Sequence, residues 1–304
     1  MSFDFDSLRR GQDMLAKVNE QAAKMNQSGG FQKDERYWRP ELDKAGAGSA
    51  IIRLLPPPPG EDVPFVRKFS YGFKGPTGKW FIENCPSTIG LTSPVLDYNS
   101  ALWNSGVEAN KEIARKQKRR LGFIANIQVL KHPARPSDEG KVYLWEFGKK
   151  LFEKFASKMN PEEEDIVPVN PFDFWQGANF RLRVRRVEGF PNYEKSEFDA
   201  PSALSDSDEE LKRIWKMEHS LQAEIAPDKF KSYEELEQKF YAVIGKTKDG
   251  QDVPAAKVAE TIERSGRPSI DPSDSTVPWD DTPRAPTPAS SDKKAWFQDL
   301  ADDV

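Results

Sequence analysis

Between residues 84 and 99 the chain reads NCPSTIGLTSPVLDYN. Cys85 is its one cysteine, and Ser93-Pro94-Val95-Leu96 begins eight residues later. A Cys-Pro-x-Cys at that place would be half of a zinc site, but serine and leucine hold the outer positions. A structural zinc takes four nitrogen or sulfur ligands, and beyond Cys85 the chain offers two histidines, His132 and His219. Catalytic chemistry is as thinly supplied. No Gly-rich loop follows a strand, and Gly46-Ala47-Gly48 precedes one instead. Carboxylates show no paired spacing beyond what helices and tails explain. A metal-dependent nuclease assembled from scattered Asp and Glu remains one alternative.

Binding chemistry is better represented. Lys116, Lys118, Arg119 and Arg120 lead into a strand that holds Phe123. Arg181, Arg183 and Arg185 alternate along another strand. Tyr143 shares a strand face with Trp145, and Phe190 and Tyr193 lie just past the arginine strand. Cations that track phosphates, interleaved with rings that stack on unpaired bases, suit single-stranded nucleic acid, each stacked base contributing ~1–3 kcal/mol. Each feature has a plainer reading: an arginine stripe is often a solvent face, and strand aromatics often fill a core. Charge alone fits the binding reading and a solvated surface about equally. The net charge is −4. Residues 271–304 hold eight acids and three bases, whereas residues 111–150 hold eleven bases and four acids. Such a basic patch attracts polyanions, and an acidic tail serves partner proteins or competes for the patch.

These residues need a scaffold, and the pattern supplies one. Residues 5–26 carry Leu8, Leu15, Val18, Ala22 and Met25 at helical spacing, and Ser28-Gly29-Gly30 ends the run. Residues 49–55 form a short apolar strand halted by four prolines. Residues 64–73 and 79–83 flank the turn Gly75-Pro76-Thr77-Gly78 and predict a hairpin. Strands follow at 122–130, 141–147 and 178–187. Short strands with loop-rich joints predict a small barrel. Helices are expected at 149–158, with Leu151, Phe152 and Phe155 on one side, and at 209–224. A third starts after Ser232 and stops at Gly245. Ser207 with Glu210, and Ser232 with Glu235, have capping-box spacing. The class is mainly β with added helices (α+β). Beyond Lys246 the chain is rich in Pro, Asp, Ser and Thr, a composition that buries too little apolar surface to fold. Trp296, Phe297, Asp299 and Leu300 near its end suit a short docking peptide. No apolar run approaches the ~18 residues of a membrane helix, so no membrane partner is expected. The first residues, which include Asp4 and Asp6, do not form a secretory signal.

Many pieces occur in one order. They include Trp38, Leu42-Asp43-x-Ala45-Gly46-x-Gly48-x-Ala50-x-Ile52-Arg53-x-Leu55-Pro56 and Gly78-Lys79-Trp80-x-Ile82-Glu83-x-Cys85. Ala125-Asn126-Ile127, Glu139-Gly140-Lys141-Val142 and Phe147-Gly148-Lys149-Lys150 come next. Trp175-x-Gly177-Ala178-Asn179-Phe180, Gly189-Phe190-x-Asn192-Tyr193 and Asp228-Lys229-Phe230-Lys231-Ser232 complete the series. Over roughly residues 37–245 this order resembles the T4-type bacteriophage single-stranded DNA-binding proteins, also called helix-destabilising proteins. The resemblance implies an OB-fold core over 31–245, with a small inserted subdomain at 65–110 and a helical part at 205–245. It implies an N-terminal cooperativity arm at 1–30 and a disordered acidic partner-binding tail at 246–304. The implied activity is non-enzymatic, cooperative coating of single-stranded DNA during phage replication, recombination and repair, in the host cell cytoplasm. An RNA-binding regulator on the same fold is the second alternative. Implied partners are the DNA, neighbouring copies along it, and phage replication and recombination proteins that meet the tail.

The family's zinc-holding members place a His before the Gly78-Lys79-Trp80 turn, then one Cys, then Cys-Pro-x-Cys. The matching positions here are Tyr71, Cys85, Ser93 and Leu96. One ligand of four survives, so no cofactor is expected. Tyr71, Ile89, Leu91, Val95, Leu96, Leu102 and Trp103 are expected to hold the subdomain by apolar packing. Tyr98 matches a family tyrosine near the DNA cleft, where stacking and packing both remain open. In the arm, only Ser7-Leu8-Arg9-Arg10 approximates the family's cooperativity motif, which makes Arg9 and Arg10 its candidates.

Overall fold

In the computed structural model, residues 34–247 are described, apart from 164 and 188. The arm with Arg9 and Arg10, and the tail peptide with Trp296, Phe297, Asp299 and Leu300, lie outside the described residues. The strands are β1 (Gly48–Leu54), β2 (Phe65–Lys74), β3 (Trp80–Asn84), β4 (Arg120–Lys131), β5 (Val142–Gly148), β6 (Ala178–Val187), β7 (Phe190–Asn192) and β8 (Glu197–Pro201). The helices are α1 (Pro94–Asn104), α2 (Glu108–Lys116), α3 (Lys149–Met159), α4 (Asp208–Lys216) and α5 (Tyr233–Ile244).

β4 organises the sheet. Its first half pairs with β2, Phe65 opposite Ala125 and Ser70 opposite Arg120. Its second half pairs with β1, Leu54 opposite Ile127. β5 runs along its other edge, with Trp145 opposite Ala125. β1 continues to β6, and all these strand pairs are antiparallel. One long strand shared in halves by two neighbours curls the sheet, a geometry compatible with an OB-like barrel. The run GFIANIQVL is nearly all apolar because β4 is covered on both faces. Phe123, Ala125, Ile127 and Val129 enter the main core with Ile52, Leu54, Phe147, Phe180 and Leu182. Ile124 packs on the opposite side with Val66, Leu144 and Leu221. α3 closes the main core with Leu151, Phe152 and Phe155, the side foreseen from their spacing.

Arg53 is fully buried. It donates from Nη2 to the carbonyls of Asp173 and Ser202, each at 2.8 Å, and from Nη1 to Asn179 Oδ1 at 3.3 Å. A buried guanidinium needs such acceptors. Gly177 makes room for it, since a Cβ there would lie 2.8 Å from Arg53 Nη2 and 2.2 Å from the Asp173 carbonyl.

A second apolar cluster joins the β2–β3 hairpin to the last helix. Tyr71, Phe73, Phe81, Cys85 and Val95 meet Leu236, Phe240, Val243 and Ile244 of α5. This corrects the expected packing set. Tyr71 and Val95 are buried and Leu96 packs at the edge, but Leu91 is 59% and Trp103 47% exposed. α5 starts with the full capping box of Ser232 and Glu235 and ends on Gly245 at φ 72°, as foreseen. Thr77 of the hairpin turn donates to the Val243 carbonyl at 2.6 Å, and Lys231 pairs with Glu83 at 2.7 Å.

The helix expected over 209–224 ends at Lys216. Ser207 caps it by accepting from the Glu210 amide, and a short 3-10 turn follows at Gln222–Ile225. The cause is tertiary. The Asn126 amide grips both backbone groups of His219, at 2.8 and 2.9 Å. Glu61 accepts from the Ser220 hydroxyl at 2.6 Å and from the amides of Leu221 and Gln222 at 3.2 Å. Backbone donors met this way gain nothing from continuing a helix.

Candidate nucleic-acid interface

The basic run from α2 into β4 is local in sequence and stays together in space. Lys116 ends α2, and both it and Lys118 are exposed. Arg119 is held more firmly: its guanidinium lies 4.1 Å from the centre of the Phe69 ring and donates to Ser87 Oγ at 2.5 Å. Arg120 sits opposite Ser70 of β2, and its guanidinium lies beside Gly72. Arg67, exposed on β2, stands opposite Phe123, a cation that sequence reading passed over.

The arginine ladder of β6 is a separate group. Phe180, Leu182 and Val184 face the core while Arg181, Arg183 and Arg185 face outward, as their alternation predicts. Each arginine, however, meets a carboxylate. Arg181 pairs with Asp199, Arg183 with Glu197 at 3.2 Å, and Arg185 with Glu194 at 3.7 Å. These acids come from β8 and the turn before it, which register antiparallel to β6. A phosphate that binds the ladder must exchange with them.

The rings divide by burial. Phe123, expected to stack on bases, is 2% exposed and lies parallel to Phe152 at 4.0 Å. It is a core ring, because odd-numbered β4 residues face the sheet interior under α3. Tyr143 is half-buried at the core edge, its hydroxyl 3.4 Å from Asp138 Oδ1. Burial, and then the Asp138 charge, push that hydroxyl's pKa up. Tyr193 lines a small pocket with Tyr37, Trp38, Leu42, Trp145 and Pro191, and burial pushes its hydroxyl up to about 12. Phe190 of β7 is 43% exposed. Tyr98 leans edge-on against Phe240, ring centres 5.1 Å apart, so packing claims at least part of it. Trp103, counted among packing residues from its type alone, is an exposed ring that reading missed, and so is Trp175.

Tyr71, Cys85, Ser93 and Leu96 also come together. The Tyr71 hydroxyl donates to Ser93 Oγ at 2.9 Å, and the Cys85 thiol donates to Tyr71 Oη at 3.1 Å. Ser87 Oγ lies 3.0 Å from the same sulfur and accepts from Arg119. Burial raises the Tyr71 pKa, which keeps the hydroxyl a neutral donor. Two hydroxyls, one thiol and the side chain of Leu96, which has no donor atom, do not fit a tetrahedral zinc. Among the described residues there is no group of three or more His, Cys, Asp or Glu able to hold a metal ion. No helix among them is long and apolar enough to cross a membrane.

A curled antiparallel sheet with flanking helices and a basic, ring-bearing surface defines a class of sheet-based binding protein. Comparison with known proteins supplies the family: the profile described as gp32 DNA binding protein like matches residues 46–244. The chain belongs to that family. It is 40% identical over 256 residues to the single-stranded DNA-binding protein of Enterobacteria phage T4, covering 81% of this chain and 83% of that protein. The protein of the same name from phage T2 is likewise 40% identical, over 257 residues. A shorter match, 43% over 89 residues, is to the single-stranded DNA-binding protein of Escherichia phage SV14, covering 28% of this chain and 78% of that one.

Proposed function

We propose that the protein coats single-stranded DNA, cooperatively and with little regard to sequence, during phage DNA replication, recombination and repair in the host cell cytoplasm. The observation that carries this is 40% identity across 81% of the chain to a protein named for that binding. The mechanism is physical rather than covalent, and the protein is not an enzyme. Lys116, Lys118, Arg119 and Arg120 draw the phosphates in, and release of their counterions favours the complex. Arg181, Arg183 and Arg185 add to the attraction after trading their carboxylates. Phe190, Tyr193, Tyr143 and Tyr98 offer rings to unpaired bases, which present a π-face whatever their sequence.

The same reading assigns an OB-fold core to 31–245, an inserted subdomain to 65–110 and a helical part to 205–245. The arm 1–30, through Arg9 and Arg10, joins neighbouring copies. The acidic tail 246–304 meets replication and recombination proteins through Trp296, Phe297, Asp299 and Leu300. The subdomain holds no zinc: the hydroxyl–thiol network and the α5 cluster take its place. Fluorescence titration of labelled oligo-dT against a matched duplex tests the central claim. Tighter binding to the single strand is expected, and equal binding at modest ionic strength would refute it. Metal analysis of the purified protein tests the zinc claim separately, and about one zinc per chain would overturn it.

A further inference from the structure

Trp103, near the end of α1, is 47% exposed and belongs to none of the apolar clusters. Two cations of α2 lie over its ring, the Arg115 guanidinium at 5.3 Å and the Lys111 ammonium at 5.8 Å from the centre. They stand four residues apart, so one helix face delivers both. Their frame is fixed. Glu108 pairs with Arg115 at 2.8 Å and with Lys111 at 3.7 Å, and Glu112 pairs with Arg115 as well. The turn between the helices is tied too: Ser105 Oγ donates to the Leu102 carbonyl at 2.7 Å and accepts from Asn110 at 2.9 Å. The ring thus has cations on its α2 side and stays about half exposed. Directly after Arg115, α2 ends at Lys116, and the chain continues through Lys118 to Arg120 at the start of β4.

We propose that Trp103 is a base-stacking platform that extends the track of the single strand from the sheet onto the α1–α2 hairpin. Its ligand is an unpaired nucleobase whose flanking phosphates pass Lys111, Lys116 and Lys118. The inference rests on the single-stranded DNA reading above. An indole pinned by cations loses little freedom when a base stacks on it, and the neighbouring lysines complement the phosphates.

The test compares wild type with Trp103→Ala and Trp103→Phe by fluorescence anisotropy on labelled dT oligomers. One oligomer is short enough for a single protein, and one is long enough for several. Trp103→Ala is expected to bind both about tenfold more weakly, with an unchanged dependence on salt. Trp103→Phe is expected to recover most of the loss. Unchanged affinity of Trp103→Ala would overturn the proposal. So would a loss confined to the long oligomer, which would make Trp103 a contact between copies, or a loss that tracks a shallower salt slope, which would make it a mere support for cations. Should Trp103→Ala melt early, quenching decides: with DNA saturating, Trp103→Phe must show less indole quenching than wild type, and equal quenching sinks the platform. Absence of any single-strand preference in wild type would fail the parent reading instead, and the two outcomes are distinct.

Discussion

Glu218, in the turn after α4, has both carboxylate oxygens buried without a hydrogen-bond partner. Burial, and then the charge of Glu61 beside it, push its carboxyl up to about 9 from an ordinary 4.5. Below the ordinary value, folded and unfolded chains both hold the proton. Between the two values the unfolded chain releases it and the folded chain keeps it, so stability falls as pH rises and levels off above about 9. The limiting slope for one proton is ~1.4 kcal/mol per pH unit. Glu218→Gln is therefore expected to flatten the dependence, and urea midpoints should show the variant gaining on wild type from pH 5 to pH 9. The hydroxyl–thiol network gives a second expectation. Tyr71→Phe leaves buried Ser93 and Cys85 short of a partner, a loss of ~1–3 kcal/mol, measured by urea unfolding, with added zinc giving no rescue. At this scale the sequence was half legible. That Cys85, Ser93 and Leu96 share one loop region is visible in the chain, and their joining with Tyr71 is not. The Arg119–Ser87 bond, 32 residues apart in the chain, depends on how β4 docks beside the hairpin.

Elements with strong local signals were the readable ones. The β2–β3 hairpin follows from its Gly-Pro-Thr-Gly turn, and α5 from a capping box and a terminal glycine. α1 and α2 left little trace, because α1 buries only Pro94 and Val95 and α2 only Ala114. A helix that hides so few side chains has no long apolar stripe to read. α4 was over-extended for the opposite reason: Leu221 and Ile225 continue the stripe in sequence but serve a different cluster, around Ile124 and Leu144. α5 completes the second cluster, and its removal would uncover Tyr71, Phe73 and Phe81 together. Phe240 meets Phe81, Phe73 and Tyr98 at ring distances of 5.8, 6.3 and 5.1 Å. Phe240→Ala is expected to cost ~3–5 kcal/mol, whereas Ser232→Ala, which loses only the cap, costs ~1 kcal/mol. Chemical denaturation of the two variants checks that ranking, and near-equal losses would argue against α5 as the clasp of this cluster.

Across the whole molecule, charge decides how the protein meets a polyanion, and only part of that was visible in the chain. The Lys116–Arg120 run is contiguous, so its proximity needs no fold. The ladder of Arg181, Arg183 and Arg185 was equally visible, but its partners Asp199, Glu197 and Glu194 reach it only through the β6–β8 register. Arg183 and Arg185 are about half exposed, and so is Glu197, which places these pairs among surface ion pairs worth ~0–1 kcal/mol. Phosphates of a bound strand can displace carboxylates held that weakly, so the ladder remains available at a small cost. Salt titration separates the two cation groups. Each phosphate neutralised on a single strand adds ~0.7 to the slope of log affinity against log salt. Lys116→Gln with Lys118→Gln should make the slope shallower by ~1.4. Asp199→Asn, Glu197→Gln and Glu194→Gln together should tighten binding at low salt, since they leave the ladder uncompensated. If the strand crosses the ladder, the tightening persists on a short oligomer that holds one protein. Unchanged affinity in that triple variant would confine the DNA track to the β2–β4 end of the sheet and the α1–α2 hairpin.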